Sequence, residues 1–301
     1  MKDKIAVLGG DLRQYAAATE LDRKNWEVVL WGLDLTDNRN GQIKCCETYK
    51  DAVDGAEAVV LPLPSSTDGI FLNCPFSAQQ AKLKLSDLVD AIAPDCMLIG
   101  GRLPKETVAT AALAGIEVRD YFESEEFQIQ NAYITAEAAV SIAMNSLNKN
   151  ICGSRVAITG YGRIAKHLIN LLSSMGAEIT VAARKTSDLA WSACSGCSVL
   201  QIGDTEAMRR NIYELSHGYD IIYNTVPHRL FDRAFLKCVD SNTFIIDLAS
   251  VPGGVDIIAA KELGANVLWA TSLPGKYAPV SAGRLIAHCV DNILKSEVGE
   301  L

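Results

Sequence analysis

Gly160-Tyr161-Gly162-Arg163-Ile164-Ala165 has the spacing G-x-G-x-x-A, and Arg184-Lys185 follow at roughly the distance of one helix and one strand. This is the chemistry of a dinucleotide seat. Gly160 allows a tight turn, Gly162 lets a pyrophosphate approach the backbone, and Ala165 is small enough for a helix to lie close to a strand. Tyr161, Arg163 and Ile164 are expected to line the seat, where free N–H groups of the helix start meet the phosphates. Sites built for NAD carry Asp or Glu after the second strand to hold the ribose 2′-OH. Arg184 and Lys185 stand there instead, which suits a 2′-phosphate, so NADP is the preferred cofactor and NAD the other acceptor. The bland alternative is a β-α-β unit with an empty crevice.

Other strand-end loops carry the remaining candidates. Asn224-Thr225-Val226-Pro227-His228 follows an apolar run and bends at proline, placing Asn224, Val226 and Pro227 on the nicotinamide side. His228 is a candidate acid or base, with an ordinary turn or capping role as its alternative. Asp247 ends the next strand, before Leu248 to Gly254, and it or Ser250 is expected to contact cofactor or substrate, Asp247 being the cofactor candidate. Lys276, in Leu273 to Gly283, makes an anion-binding corner with the following helix start; it is a second catalytic candidate, a solvated lysine being the alternative. In the first half, Gly9 to Asp11, Leu63 to Thr67 and Gly100 to Arg102 form three polar loops. Arg13, Ser65, Ser66, Arg102 and Lys276 are the candidates to hold carboxylates of a small molecule.

The elements that must position these groups alternate. Strands are expected at Ile5 to Leu8, Val28 to Trp31, Ala58 to Pro62, Met97 to Ile99 and Glu117 to Phe122, with a helix from Leu12 to Lys24. An apolar, Ala-rich helix from Ile129 to Leu147 leads toward the fingerprint. The helix Ile164 to Met175 has Ile164, Leu168, Leu171, Leu172 and Met175 near helical spacing, and strands follow at Glu178 to Ala183, Val199 to Ile202, Asp220 to Asn224 and Phe244 to Leu248. A helix over Met208 to Leu215 lies among them. This alternation predicts an α/β protein of two doubly wound parallel-sheet domains, the second Rossmann-like, with a C-terminal helix returning to the first. The expected boundaries are 1–128 for a substrate-side α/β domain, 129–150 for a bridging helix and linker, 151–278 for the NAD(P)-binding domain and 279–301 for the returning helix. Chemistry is expected where the two domains meet.

Composition narrows the partners. The chain has 301 residues, enough for two domains, and 49% hydrophobic content fills two cores. A formal charge of −8 gives no broad attraction to nucleic acid or an anionic membrane. No apolar run reaches membrane-spanning length and the opening reads directly as a strand, so a cytoplasmic protein is expected. Nine scattered cysteines argue against a disulfide framework. Cys194-Ser195-Gly196-Cys197 has the spacing of a redox pair or half of a zinc site, but no second pair completes one, so no metal is expected and a structural or incidental role is the reading.

Taken together, Gly9-Gly10-Asp11-Leu12-Arg13-Gln14, Asn131 to Glu137, the Gly160 fingerprint, Asn224 to Pro227, Asp247 to Gly254 and Leu273 to Gly283 resemble the dipicolinate synthase A-subunit family over nearly the whole chain. The general plan is also similar to D-2-hydroxyacid dehydrogenases, although their catalytic arginine, glutamate and histidine arrangement is not evident. The resemblance implies oxidation of a dihydrodipicolinate-type ring to pyridine-2,6-dicarboxylate with NADP⁺ or NAD⁺ as hydride acceptor. It further implies a flavoprotein-like B-subunit of the same synthase as partner and a place in the mother-cell cytoplasm during sporulation; assembly of several copies stays open. Two alternatives keep the fingerprint: a nucleotide-binding regulatory or scaffolding subunit without hydride transfer, and a dehydrogenase of another small acid.

The cofactor reading gives a direct expectation. Arg184→Ala should weaken NADP(H) binding by about 1–3 kcal/mol, the worth of a charge-assisted phosphate contact, and leave NAD(H) binding unchanged. Titration curves that are equal for both cofactors in wild type and variant would remove this assignment.

Overall fold

The computed structural model describes residues 3–34, 43–77 and 82–298, and these form two compact units. The first comprises Met1–Asn131 together with Pro274–Leu301, and the second is the continuous segment Ala132–Leu273.

The first unit runs β1 (Lys4–Leu8), α1 (Leu12–Arg23), β2 (Glu27–Trp31), β3 (Lys44–Cys45), α2 (Tyr49–Val53), β4 (Ala58–Val60), α3 (Leu85–Val89), β5 (Met97–Gly100), α4 (Lys105–Leu113) and β6 (Val118–Asp120). Its strands pair in the order β3-β2-β1-β4-β5-β6, all parallel, with Ile5 registered between Val28 and Ala58. Ile5 to Leu8 are buried without exception, as a strand covered by helices on both faces requires. Where the sequence suggests strand up to Phe122, the chain instead turns into a 3-10 segment, Tyr121–Glu123, because the Asp120 side chain accepts the Phe122 N–H.

Helix α5 (Glu125–Ser146) then carries the chain from the first unit into the second. It begins four residues earlier than the apolar pattern suggests (Glu125 against Ile129): the Ser124 hydroxyl accepts the Phe127 N–H and starts the helix ahead of its apolar stretch.

The second unit runs β7 (Arg155–Thr159), α6 (Arg163–Ser174), β8 (Glu178–Ala183), α7 (Thr186–Cys194), β9 (Ser198–Gln201), α8 (Glu206–Asn211), β10 (Ile221–Asn224), α9 (Arg233–Cys238), β11 (Phe244–Asp247), α10 (Ile257–Leu263) and β12 (Val267–Trp269). Its sheet is again parallel, in the order β12-β11-β10-β7-β8-β9. Numbered from their own first strands, both sheets read 3-2-1-4-5-6, the doubly wound order whose direction of winding reverses beside the first strand. The fold is therefore α/β with two doubly wound parallel sheets. Two apolar layers sandwich the second: Leu168, Leu172, Val156 and Ile158 lie in one, and Phe231, Phe235, Ile222 and Ile245 in the other.

The short α11 (Leu273–Tyr277) and α12 (Pro279–Val298) close the chain. Proline occupies the first position of α12, where its missing N–H costs the helix nothing. Helix α12 lies along α1 in the first unit, at a distance only small residues permit: a Cβ on Gly283 would meet the Ala17 nitrogen at 2.9 Å and crowd the Arg13 carbonyl and Ala16. Further along, Asp291 receives the Lys24 ammonium at 2.7 Å, the Trp26 indole N–H at 3.0 Å and Lys295 at 3.0 Å. Its side chain is only 4% exposed. Burial alone would push the Asp291 carboxyl up, but these three donors outweigh it and hold the group below its ordinary value.

A carboxyl depressed in the folded state contributes stability that is present above its unfolded pKa and fades as pH falls through the folded value. Asp291→Asn should therefore cost about 2 kcal/mol at neutral pH. The gap from wild type should narrow below roughly pH 4, where an unfolded aspartate begins to protonate. Urea midpoints across pH 7 to 2 check this; a gap independent of pH would show that the anchor does not depend on charge.

Candidate functional site

Both sheets present their switch points to helix N-termini, yet the two are finished differently. In the second unit, β7 ends at Thr159 and the chain turns through Gly160 at φ 87°, into a conformation suited to glycine. A Cβ on Gly160 would meet Thr225 Oγ1 at 2.7 Å and Val226 Cγ2 at 3.0 Å, so this glycine lets the loop after β10 close against the fingerprint. Gly162 is the N-cap of α6, has no side-chain cap hydrogen bond, and a Cβ there would meet nothing within 4 Å. Ala165 is fully buried under the helix. The start of α6 is thus uncapped and open, the condition for receiving an anion.

The Gly160 N–H donates to the Ala182 carbonyl at 2.8 Å, which ties the fingerprint to the end of β8. Arg184 and Lys185 follow, both exposed, and Lys185 precedes α7 without capping it through its side chain. Tyr161 is half-buried, with the Lys166 ammonium 5.3 Å from its ring centroid, while Arg163 is exposed and Ile164 packs partly against the core. The residues expected to bind phosphate and 2′-phosphate accordingly share one sheet edge.

Asn224 and Asp247 take a different place from the one their strand-end positions suggest. Both are fully buried. Asp247 Oδ1 accepts from Asn224 Nδ2 at 2.7 Å and Ala249 N at 3.1 Å, and Oδ2 accepts from Gly254 N at 2.7 Å and Val255 N at 3.2 Å. A carboxylate satisfied in this way holds loops, and the side chain expected to contact the cofactor is turned to these partners. Val226 is half-buried beside Gly160, and Pro227 and His228 are exposed on the same loop.

In the first unit the corresponding helix start is closed. Asp11 is the N-cap of α1 and accepts the Arg13 N–H, so a carboxylate occupies the place a phosphate would need. Gly9 leaves no room either: a Cβ there would meet Cys74 Sγ at 2.7 Å and Asn73 O at 2.9 Å, and the Gly10 N–H donates to that Asn73 carbonyl. Burial pushes the Cys74 thiol up to about 11, so it stands as a neutral filler.

Arg13 is only 9% exposed. Its Nε donates to Asp11 Oδ1 at 2.9 Å, and Nη2 donates to Asp11 Oδ2 at 2.8 Å and the Leu63 carbonyl at 2.7 Å. Among the described residues Nη1 has no partner, and this nitrogen is what the side chain can offer an anion. Gly275 of α11 lies on the same ion pair, since a Cβ there would meet Arg13 Nε at 2.9 Å and Asp11 Oδ2 at 3.1 Å. The neighbouring Lys276 is exposed. Arg13 and the Lys276 segment are thus brought together within this unit.

The other first-unit candidates diverge. Ser65 is buried and donates its hydroxyl to the Arg102 carbonyl at 3.2 Å, so it joins two loops. Ser66 bonds Asp68 and the Gly69 N–H in a turn. Arg102 is exposed, at φ 53°, with its guanidinium 4.3 Å from the Phe122 ring centroid. Behind these loops Tyr121 donates to the Leu61 carbonyl at 3.2 Å, and burial pushes its phenol far up, so it remains protonated. Asp11, Thr159, Gly254 and Gly275 do not stand out as site residues in the sequence. The helix-capping position of Asp11 is a visible signal; the contacts of the other three depend on the tertiary fold.

Among the described residues no helix is long and apolar enough to cross a membrane, and no group of three metal-ligating side chains occurs. Cys194 is exposed, Cys197 is buried, and both are free thiols.

Two doubly wound units, one with an uncapped helix start at its switch point, have the fold seen in two-domain dehydrogenases. The crystal structure of transhydrogenase from Sinorhizobium meliloti shares it at a TM-score of 0.68, with 15% identity over 99% of this chain and 94% of that one. More particularly, the chain is similar to the dipicolinate synthase A-subunit: residues 4–122 match the family model for the N-terminal domain of that protein. The dipicolinate synthase A-subunit of Bacillus subtilis (strain 168) is 29% identical over 97% of this chain and 95% of its own length. The crystal structure of the dipicolinate synthase A chain from Bacillus subtilis superposes with a TM-score of 0.83 at 28% identity, covering 100% of this chain and 98% of that one.

The open seat can be tested by filling it. Gly162→Val has room for its side chain and an ordinary backbone at φ −81°, so the melting temperature should change little. Dinucleotide affinity should fall by about tenfold or more, because the methyl groups occupy the phosphate approach. Calorimetric titration that finds unchanged affinity would move the phosphates elsewhere.

Proposed function

We propose that this chain is the oxidoreductase component that oxidises a dihydrodipicolinate-type ring to pyridine-2,6-dicarboxylate, with NADP⁺ preferred over NAD⁺ as hydride acceptor. The observation that carries the reading is the uncapped, open α6 start at the switch point of the second sheet, with Arg184 at the end of the neighbouring strand. The likeness to the dipicolinate synthase A-subunit over nearly the whole chain supplies the substrate class. The precursor derives from 4-hydroxy-tetrahydrodipicolinate by loss of water. The flavoprotein-like B-subunit of the synthase is the partner, and the mother-cell cytoplasm during sporulation is the setting.

The nicotinamide, when bound, supplies the hydride acceptor. The ring gives up one hydride and one proton, and the products are the aromatic dianion, reduced nicotinamide and H⁺. The chain's own residues hold the two carboxylates, orient the ring and receive the proton. In the first unit Arg13 Nη1 and Lys276 meet carboxylate, with Asp11 and Gly275 fixing the guanidinium and Arg102 a further cation. Ser65 and Ser66 shape the loop whose Leu63 carbonyl steadies Arg13. His228, exposed on the loop after β10, is the proton acceptor, and Lys276 the second candidate for that role. The fully buried Asn224 and Asp247 serve the cofactor side from behind its loops.

The test is an assay of purified protein, with and without the flavoprotein-like partner, on freshly generated precursor, following pyridine dicarboxylate alongside reduced nicotinamide. Both should rise together. Lys276→Ala, a surface change, should cut turnover by about tenfold or more with NADP(H) affinity intact, as loss of one charged contact would. Arg13→Ala should be more severe, because it also frees Asp11 and the Leu63 loop. Nicotinamide binding without any product would favour a regulatory role, and unchanged turnover in both variants would remove these cations from the site.

A further inference from the structure

The ends of three adjacent strands in the second sheet carry a polar row. Thr159 of β7 is registered with Asn224 of β10, and Asn224 with Asp247 of β11. All three are fully buried. Buried polar groups are costly unless bonded, and this row is bonded throughout. Thr159 Oγ1 donates to Asn224 Oδ1 at 2.6 Å, and the same oxygen accepts the Val226 N–H at 3.1 Å. Asn224 Nδ2 donates to the Val226 carbonyl at 3.0 Å and to Asp247 Oδ1 at 2.7 Å. With both donors and both acceptor positions of the amide engaged, only one orientation of Asn224 fits.

The row grips two loops. On one side Asn224 clamps both backbone groups of Val226, and Thr225 Oγ1 donates to the Thr159 carbonyl at 2.7 Å. On the other, Asp247 takes the N–H groups of Ala249, Gly254 and Val255, while the Trp269 indole donates to the Ala249 carbonyl at 3.0 Å. The loops are also joined to each other, because the Gly254 carbonyl accepts the Leu230 and Phe231 N–H groups at 3.0 Å each. Any Cβ on Gly254 would collide with the Asn224 amide and stand 2.8 Å from the Val226 carbonyl, so only glycine lets the loops close in this way. Thr225 to Leu230, which includes His228, is thus fixed at both ends by one network.

We infer that Thr159, Asn224 and Asp247 form a positioning relay that sets the backbone of the two loops receiving the nicotinamide half of the dinucleotide. This rests on the cofactor reading above. In a doubly wound sheet the dinucleotide spans the switch point, so its adenosine half belongs over β7 to β9 and its nicotinamide half over β10 and β11. Asn224 and Asp247 lie under the second half, and Thr159 reaches them from the end of β7 through its bond to Asn224, so the loops that the relay holds are those of the nicotinamide half. It touches no ligand; its effect passes through Val226, Ala249 and Gly254.

That division gives a readout that loss of fold would not produce. Thr159→Val removes the hydroxyl donor while keeping the shape, Thr159→Ser keeps the donor, and Asp247→Asn places an N–H among N–H groups. Calorimetric titration would compare NADP⁺ with 2′-phospho-ADP-ribose, which lacks the nicotinamide; if NAD⁺ binds more tightly, NAD⁺ and ADP-ribose replace them. Thr159→Val and Asp247→Asn should weaken the complete dinucleotide by about tenfold and the truncated one by less than about twofold, with Thr159→Ser near wild type. If Asp247→Asn does not fold, the threonine pair decides. Wild-type affinity for the complete dinucleotide in Thr159→Val would overturn the relay, as would equal loss of both ligands. Wild-type protein that binds neither ligand would overturn the cofactor reading and the relay with it.

Discussion

A parallel sheet covered on both faces leaves polar backbone at the carboxyl ends of its strands and bare N–H groups at the helix starts that follow, and something must satisfy them. This chain meets that demand in two ways. In the first unit the Asp11 carboxylate and its partner Arg13 complete the start of α1, and Asn73 completes the turn before it. In the second unit Gly162 leaves the start of α6 unfinished. Two sheets of identical strand order thereby acquire opposite electrostatic character: one switch point carries a fixed anion and the other leaves the positive end of its helix bare.

Closure in the first unit also changes what its cation can recognise. A free guanidinium offers a planar fork of five donors. Here Asp11 and the Leu63 carbonyl hold Nε and Nη2, so the remaining nitrogen is presented from a fixed direction. A side chain held this way loses little rotamer freedom on meeting a carboxylate, which favours selectivity over strength. Gly275 contributes by omission, since any larger residue would press on the ion pair.

Much of this was legible in the sequence. The strands stood out because parallel strands buried on both faces read as continuous apolar runs, as in Ile5 to Leu8 and Ile221 to Tyr223. The G-x-G-x-x-A segment was legible because its glycines answer local backbone demands. What escaped were partnerships between distant residues. Asn224 and Asp247 have the position of ligand contacts, and only the adjacency of β7, β10 and β11 turns them toward each other. Arg13 reads as an available cation until Asp11 is seen folded against it. The start of α5 was misplaced because Ser124 extends the helix beyond its apolar stripe.

The docking of α12 on α1 has a temporal side. The second unit is one uninterrupted segment, whereas the first is drawn from both sides of it. A ribosome releases Ala132–Leu273 in full before the residues of α12 exist, so the second unit can complete itself while the first still waits for its last helix. During that interval the Ala16-Ala17 surface of α1 and the indole of Trp26 lack the partners that Gly283 and Asp291 bring. Contacts so far apart in sequence form late and slowly, and the half-built first unit is the stage at which a nascent chain would need a chaperone.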